Sequence, residues 1–195
     1  MRSRRVRAIL AGGLVLGVGA AATLAAWNDS EYAASTFTAG TFGITGSIDG
    51  ATFVDYTTKN PQTPASLNFQ LPPTAMAPGN TTYALFSVKT VSQSVAGNLL
   101  LSAGVPGGTG LAAHLTYGVR TVSTAVCNEA TYGTGTVVVA AGSALTAGPS
   151  GAQPVAANGA AQVNYCFAVT LPTTAPNAAQ SLTMTQTWQI LGTSS

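Results

Sequence analysis

Side chains able to perform acid–base or metal chemistry are scarce in this chain of 195 residues. His114 is the only histidine, so the pair of imidazole ligands of a His-Glu-x-x-His zinc site is missing. A Ser-His-Asp triad would have to use His114, and the sequence has no Gly-x-Ser-x-Gly motif. We therefore expect no catalytic residue, no bound metal and no cofactor. His114 is interpreted as a surface residue, and the protein is not expected to be an enzyme.

Two aspartates, Asp49 and Asp55, are close enough in sequence to form a carboxylate pair. Such a pair could serve acid–base catalysis or bind calcium, but calcium loops usually place several carboxylates within about a dozen residues. Asp49-Gly50 is a strong hairpin signal, because this dipeptide favours a type I′ turn. Asp49 is therefore assigned to a turn between β-rich runs at 41–47 and 51–56.

Cys127 and Cys166 are the only cysteines of the chain. In an exported protein such a pair predicts one disulfide. The bond would close a loop of about 40 residues, for which the chain-entropy model gives roughly 4 kcal/mol of stabilisation. The other interpretation is two buried free thiols that pack as small hydrophobic groups.

Charge is sparse and uneven along the sequence. Charged residues make up 6% of the chain, against roughly 25% in an average globular protein. Of seven basic residues, four stand at positions 2, 4, 5 and 7, and the remainder of the chain has three bases against five acids, a net charge of −2. Nucleic-acid binding is excluded, because it needs clustered lysine and arginine.

The four arginines precede an uncharged apolar run at 8–26, the pattern of a secretory signal peptide. Thr23 and Ala25 place small side chains at −3 and −1, so we expect cleavage between Ala25 and Ala26. The alternative is a retained membrane anchor, since about 19 apolar residues are just enough to span a bilayer. We expect export by the general secretory route, a secreted product outside the cell or at its surface, and membrane contact only through this apolar signal helix.

The rest of the chain shows no sustained helical periodicity. About nine short runs with strand character, separated by Gly, Pro and Asn turns, predict an all-β fold, either a sandwich or a barrel. The clearest alternation lies at 163–171, with Cys166 on the face opposite the apolar one. If that opposite face is also buried, the disulfide joins the two sheets or fixes a strand end. Strands are also predicted at 66–71, 81–91, 112–123, 134–140 and 182–190, and loops at 104–110 and 141–161.

The junction after the apolar run carries a resemblance to a known family. Residues 24–31, with Trp27-Asn28-Asp29 inside them, and the following Phe37-Thr38-Ala39-Gly40-Thr41-Phe42 resemble the start of the TasA/camelysin family. Those are exported bacterial proteins processed by a signal peptidase of the SipW type. Met76-Ala77-Pro78-Gly79-Asn80 is similar to the Pro-Gly turn that precedes a core strand in the family. The later parts of the chain are closer to an actinobacterial branch.

The resemblance implies a jelly-roll-like β-sandwich and, in some members, assembly into extracellular fibres of a biofilm matrix. In those fibres the new N-terminal segment pairs as an added strand with the next subunit. Other members are described as metalloproteases, a role that is not carried over to a chain with one histidine. We therefore expect a signal peptide at 1–25, an N-terminal arm and possible donor strand at 26–40, and a jelly-roll-like β-sandwich of about nine strands at 41–195.

Five residues of the arm are candidates for assembly: Trp27, Asn28, Asp29, Tyr32 and Phe37. An open sheet edge can accept such a strand through main-chain hydrogen bonds, while a side chain such as Trp27 or Tyr32 fills a pocket. The other interpretation is that these residues only satisfy the signal peptidase or fold back on their own domain. The predicted function is a self-associating subunit of a surface or matrix fibre. The alternatives are a monomeric secreted module that binds polysaccharide or protein, and a surface protein anchored by an uncleaved leader.

Overall fold

The computed structural model describes residues 2–22, 29–56, 64–71 and 76–195. The chain divides into two compact units, Met1–Thr38 and Ala39–Ser195. The first unit contains helix α1 (Arg2–Ala22) and an extended segment at 29–38 without regular secondary structure. No helix among the described residues is long and apolar enough to cross a membrane. The export role of 1–25 stays a prediction.

The second unit is built almost entirely of antiparallel strands, which confirms the predicted all-β class. Its described residues form ten strands where about nine were expected: β1 (Ile44–Ser47), β2 (Thr81–Thr90), β3 (Gly97–Ala103), β4 (Gly107–Gly108), β5 (Thr116–Val122), β6 (Thr136–Ala144), β7 (Gln153–Val155), β8 (Val163–Thr170), β9 (Met184–Thr185) and β10 (Trp188–Ser194). Helix α2 (Glu129–Thr134) lies between β5 and β6, and single 3₁₀ turns occupy 111–114, 157–159 and 177–179.

The strands form a larger and a smaller sheet. Five strands make the larger sheet in the order β1-β2-β8-β5-β6, three make the smaller sheet in the order β10-β3-β7, and β4 pairs only with β9. Trp188 of β10 contacts Phe167 of β8 at a ring-centroid distance of 5.0 Å, so the two sheets pack face to face. This sandwich-like packing buries Leu99 and Leu101 of β3 against the larger sheet.

Strand β8 lies at the centre of the larger sheet and is buried on both faces. Its alternation was the strongest strand signal in the sequence, and the structure confirms it. The residues that face the smaller sheet belong to the main core: Val163, Tyr165, Phe167 and Val169. Strands β2 and β5 pair with its two edges, and on its second face Cys166 and Ala168 are buried in a separate cluster with Tyr132 of α2.

Cys127 and Cys166 form the predicted disulfide. Cys166 lies on the outer face of β8 and is fully buried, and Cys127 directly precedes Asn128, the N-cap of α2. The bond therefore fastens α2 over the outer face of the larger sheet, where Leu85, Val122 and Tyr132 pack around it. It joins neither the two sheets nor a strand end, the two arrangements expected from the sequence. The prediction failed because it did not include a helix.

Helix α2 is too short to produce a periodic apolar pattern, yet its start is encoded locally. The side chain of Asn128 accepts a hydrogen bond from the N–H of Thr131 (2.9 Å), and the hydroxyl of Thr131 accepts one from the N–H of Asn128 (3.0 Å). This reciprocal capping box satisfies two backbone donors that the first helical turn leaves open.

Several local predictions differ from the structure. The strand predicted at 182–190 is divided into β9 and β10, and the strand predicted at 112–123 begins only at Thr116, after a 3₁₀ turn. Residues 66–71 form no strand: Leu67 and Phe69 pack on the core, but hydrogen bonding to β2 is confined to Gln70 and Leu71. Burying alternate side chains did not require a paired backbone. The tract 141–161, predicted as a surface connection, contains the end of β6 and the whole of β7. The loop predicted at 104–110 contains the short strand β4.

Candidate functional site

The ionisable residues considered for chemistry lie in two parts of the β-rich unit. His114 ends the 3₁₀ turn 111–114 and is half-buried, while Asp49 and Asp55 lie in the exposed loop after β1. Among the residues that the structure describes, no group of three or more His, Cys, Asp or Glu side chains could hold a metal ion. These positions therefore supply no candidate active site.

Asp49 organises the loop that follows β1. Its Oδ1 accepts hydrogen bonds from the hydroxyl of Ser47 (2.6 Å) and from the N–H groups of Ala51 (2.8 Å) and Thr52 (2.7 Å). These donors, led by Ser47, hold the pKa of the Asp49 carboxyl well below its usual range. Gly50 has φ +72°, but Asp49 is absent from the positive-φ residues, so the predicted type I′ turn is wrong. The hairpin instead closes at the pair Gly46–Val54.

A groove of about 870 Å³ opens between the two sheets and is called here the inter-sheet groove. Its walls come from β1, β2 and β8 on one side, from β3, β9 and β10 on the other, and from the segment 64–69. None of the described residues that line it is charged. Large apolar side chains form much of its surface: Phe69, Met76, Phe86, Phe167, Met184, Trp188 and Ile190.

The groove exists because the sheets differ in width. The smaller sheet ends at β10, whereas the larger sheet continues through β2 to β1. Near its C-terminal half β10 closes on β1: a Cβ added to Gly192 would lie 2.9 Å from Cε1 of Phe42 and 3.1 Å from Cγ2 of Ile44. At the other end of β10, Trp188 lines the groove together with Phe86 of β2, which is half-buried.

Strand β10 is the edge of the smaller sheet that borders this groove. All seven of its residues pair with β3, from Trp188↔Ala103 to Ser194↔Gly97. Within the described ranges, no other segment forms a backbone hydrogen bond with β10. The strand contains neither a charged residue nor a proline, two devices that commonly protect an exposed edge. It therefore offers a row of unpaired main-chain donors and acceptors beside an apolar groove.

The arm residues predicted from the sequence divide into two sets. Thr23, Ala25, Ala26, Trp27 and Asn28 lie outside the described residues. Asp29, Tyr32 and Phe37 are described and exposed, and the exposed fractions of Tyr32 and Phe37 are 94% and 92%. An apolar ring left in water costs free energy that contact with a partner would recover. The segment 29–38 thus carries two aromatic side chains that make no ring contact in the described chain.

The sequence predicts the assembly arm, which stays a prediction, but it indicated neither the inter-sheet groove nor the edge that borders it. A usable signal was present: residues 188–194 form a strand-like run without charge or proline near the C-terminal end of the sequence. The groove itself had no local signal, because its walls come from segments as distant as Gly46 and Trp188.

Fold and site together define an all-β protein with two facing sheets, a disulfide-fastened helix and, beside an open strand edge, a groove whose described lining carries no charge. No protein-family model matches the chain, and no curated protein matches it.

Proposed function

We propose that the protein is an exported structural subunit that self-associates into a cell-surface or biofilm-matrix fibre, as some members of the TasA/camelysin family do. The observation that carries the proposal is the coexistence, in one chain, of an exposed aromatic arm and an open strand edge beside a groove whose described residues are all uncharged. Strand addition uses both features: main-chain hydrogen bonds extend the sheet, and side chains of the added strand fill pockets.

The low charge of the chain supports the same function. Exposed edge strands in monomeric proteins are usually blunted by lysine, proline or inward-pointing charge. Here only Lys59, Lys89 and Arg120 are basic after residue 7. Arg120 and Lys89 are engaged with Tyr132 and Phe53, at 4.9 Å and 4.0 Å from the ring centroids. A polymerising subunit needs an edge that is open to pairing, and this chain places no charge on β10.

The proposal also includes the jelly-roll-like arrangement of the sheets and the removal of the leader. The two facing sheets are a jelly-roll-like sandwich whose smaller sheet gains a strand on assembly. Residues 1–25 are a leader, removed between Ala25 and Ala26 by a signal peptidase of the SipW type, and the arm 26–40 becomes free on cleavage. The product acts outside the cell or at its surface, and it binds no nucleic acid.

A truncation tests the proposal directly. We expect purified protein comprising 26–195 to form fibres visible by electron microscopy, and protein lacking 26–36 to remain monomeric in sedimentation. Far-ultraviolet circular dichroism and thermal unfolding should match between the two, because the removed residues precede the β-rich unit Ala39–Ser195. Fibres of unchanged number and length from the truncated protein would refute the proposal. N-terminal sequencing of exported protein tests the cleavage position separately.

A second candidate function is a monomeric module that binds polysaccharide. An open pocket of about 770 Å³ lies where α2 meets β2, lined by Gln70, Asn80, Tyr83 and Glu129 among others. Amide and carboxylate groups beside a half-exposed aromatic ring are typical of sugar recognition. Burial and the nearby Glu129 raise the pKa of Tyr83, so its hydroxyl stays a donor at neutral pH. Glycan binding by calorimetry, lost in Tyr83→Ala, together with a monodisperse solution would favour this function.

A further inference from the structure

We infer that β10 is the edge that receives the arm of a second copy of this chain, with Phe37 of that arm entering the inter-sheet groove beside Trp188. This inference rests on the proposed function and adds two facts to it: which of the sheet edges grows, and which arm residue anchors the added strand. It is supported by the other sheet edges, which are less suitable for pairing, and by the length, side-chain pattern and charge of the arm.

The edges of the larger sheet are both occupied in part. On the β1 side, Gly46 and Val54 exchange backbone hydrogen bonds of 3.0 and 2.8 Å, and the hydroxyl of Thr45 donates to the carbonyl of Val54. On the β6 side, the N–H of Ser150 donates to the carbonyl of Val138 at 2.7 Å. An incoming strand would have to displace these bonds before it could pair.

The remaining edge of the smaller sheet is also unsuitable. Strand β7 has three residues, and Pro154 at its centre has no N–H to donate. Strand β10 instead has seven residues, all paired with β3 on one side. Strands β4 and β9, with two residues each, are too short to anchor a partner. Among the described strands, β10 is therefore the edge where pairing has the most to gain and the least to displace.

The arm matches β10 in length and pattern. Tyr32–Thr38 supplies seven residues, which at roughly 3.3 Å per residue span about 23 Å in an extended strand. Alternation places Ala33, Ser35 and Phe37 on one face, so that Phe37 is the only large side chain of that face. When the arm pairs beside β10 with this face inward, the side chains of Ala33, Ser35 and Phe37 point towards the groove.

The distribution of charge also matches. The two acids of the arm, Asp29 and Glu31, precede Tyr32, and no charge follows them up to Gly40. The groove has no charged residue among its described lining, so it offers no partner for a carboxylate and no penalty for a phenyl ring. Strand addition beside β10 with Phe37 facing the groove leaves both acids in water and buries Phe37 near Trp188 and Ile190.

Photocross-linking tests the edge directly. Phe37 is replaced by the photoreactive phenylalanine analogue p-benzoylphenylalanine in protein comprising 26–195, fibres are irradiated, and cross-linked peptides are identified by mass spectrometry. We expect inter-copy cross-links to residues 184–192. Cross-links concentrated on β1 or β6, or none between copies within fibres that form normally, would overturn the inference.

A matched pair of charge variants provides an independent measurement. Ile190→Lys directs a charge into the groove, whereas Leu191→Lys, at an exposed neighbour on the opposite face of the same strand, does not. We expect Ile190→Lys to weaken association between copies by about tenfold or more, and Leu191→Lys to leave it unchanged. Equal association of both variants would contradict the inference. If Ile190→Lys fails to fold, as judged by circular dichroism, the cross-linking result decides.

The two proposals fail in different ways. Loss of fibres on removal of 26–36, combined with cross-links to β1 or β6, leaves the proposed function in place and removes β10 as the acceptor. Fibres that persist without the arm remove the proposed function, and the inference with it.

Discussion

The indole ring of Trp188 lies 5.0 Å from the phenyl ring of Phe167, with the ring planes tilted by 51°. The two residues belong to β10 and β8, in different sheets, so this contact is a principal joint between the sheets. Tyr117 of β5 adds a third ring at 6.0 Å from Trp188, and its hydroxyl donates to the carbonyl of Ala147. Burial raises the pKa of Tyr117, which keeps this donor protonated at neutral pH.

Truncation of this aromatic contact should destabilise the fold strongly. Phe167 is 1% exposed, so Phe167→Ala removes the contacts of a buried ring with Trp188 and the surrounding core. We expect the free energy of unfolding to fall by about 3–5 kcal/mol, measured by urea denaturation. Leu191→Ala, at a 55% exposed position in β10, is the matched control and should change it by less than about 0.5 kcal/mol. Comparable losses for both variants would contradict the assigned core.

The disulfide should stabilise the protein mainly through the unfolded chain. Cys127 and Cys166 are 39 residues apart, and closing a loop of that size is worth roughly 4 kcal/mol in the chain-entropy model. We expect the double variant Cys127→Ala, Cys166→Ala to lose about that much in chemical denaturation. Because Cys166 is fully buried, native protein should also resist mild reductants. Quantitative thiol release from folded protein within minutes would show that α2 does not cover the bond.

The sequence predicted those parts of the fold whose packing follows from local alternation. In β8 the apolar residues at 163, 165, 167 and 169 recur with period two, and this period is sufficient to place them on one buried face. Prediction from alternation failed where side chains are buried without backbone pairing, as at Leu67 and Phe69. The turn type predicted at Asp49 was also wrong, because the loop depends on a hydrogen bond from the hydroxyl of Ser47 to the Asp49 carboxylate.

The candidate site was less accessible to sequence reasoning than the fold. Phe37 and Tyr32 stand out locally as aromatics beside small and polar residues, so the arm could be predicted. The inter-sheet groove could not, because it results from the unequal width of two sheets whose strands come from most of the chain. Arg120 lies within the strand predicted at 112–123, yet its guanidinium group donates to a carbonyl at the end of α2, a helix that the prediction lacked.

The Asp49 loop should make a pH-dependent contribution to stability. Its hydrogen bonds lower the pKa of the carboxyl in the folded protein, so the contribution is complete above the unfolded-state value near pH 4 and decreases as the pH falls below it. We expect Asp49→Ala to lower Tm at pH 7, with the difference from wild type shrinking below about pH 4. Asp49→Asn keeps an acceptor oxygen without the charge, so it should lower Tm at pH 7 less than Asp49→Ala, and its difference from wild type should shrink over the same pH range because neither variant titrates at this position. A constant difference for Asp49→Ala would contradict the assigned role.

Arg120 should stabilise the C-terminal end of α2. Its Nη1 lies 3.2 Å from the carbonyl oxygen of Tyr132 and 2.9 Å from that of Gly133, and its guanidinium carbon lies 4.9 Å from the centroid of the Tyr132 ring. A cation at a helix C-terminus satisfies open carbonyls and the helix dipole together. Because the donor is charged, we expect Arg120→Ala to reduce the free energy of unfolding by roughly 1.5–3 kcal/mol in urea denaturation. Arg120→Lys keeps the charge but loses the planar fork, so it should recover only part of that loss. Hydrogen exchange at 129–135 should accelerate in Arg120→Ala and stay unchanged in β10, whereas uniform acceleration over the whole β unit would contradict a local role.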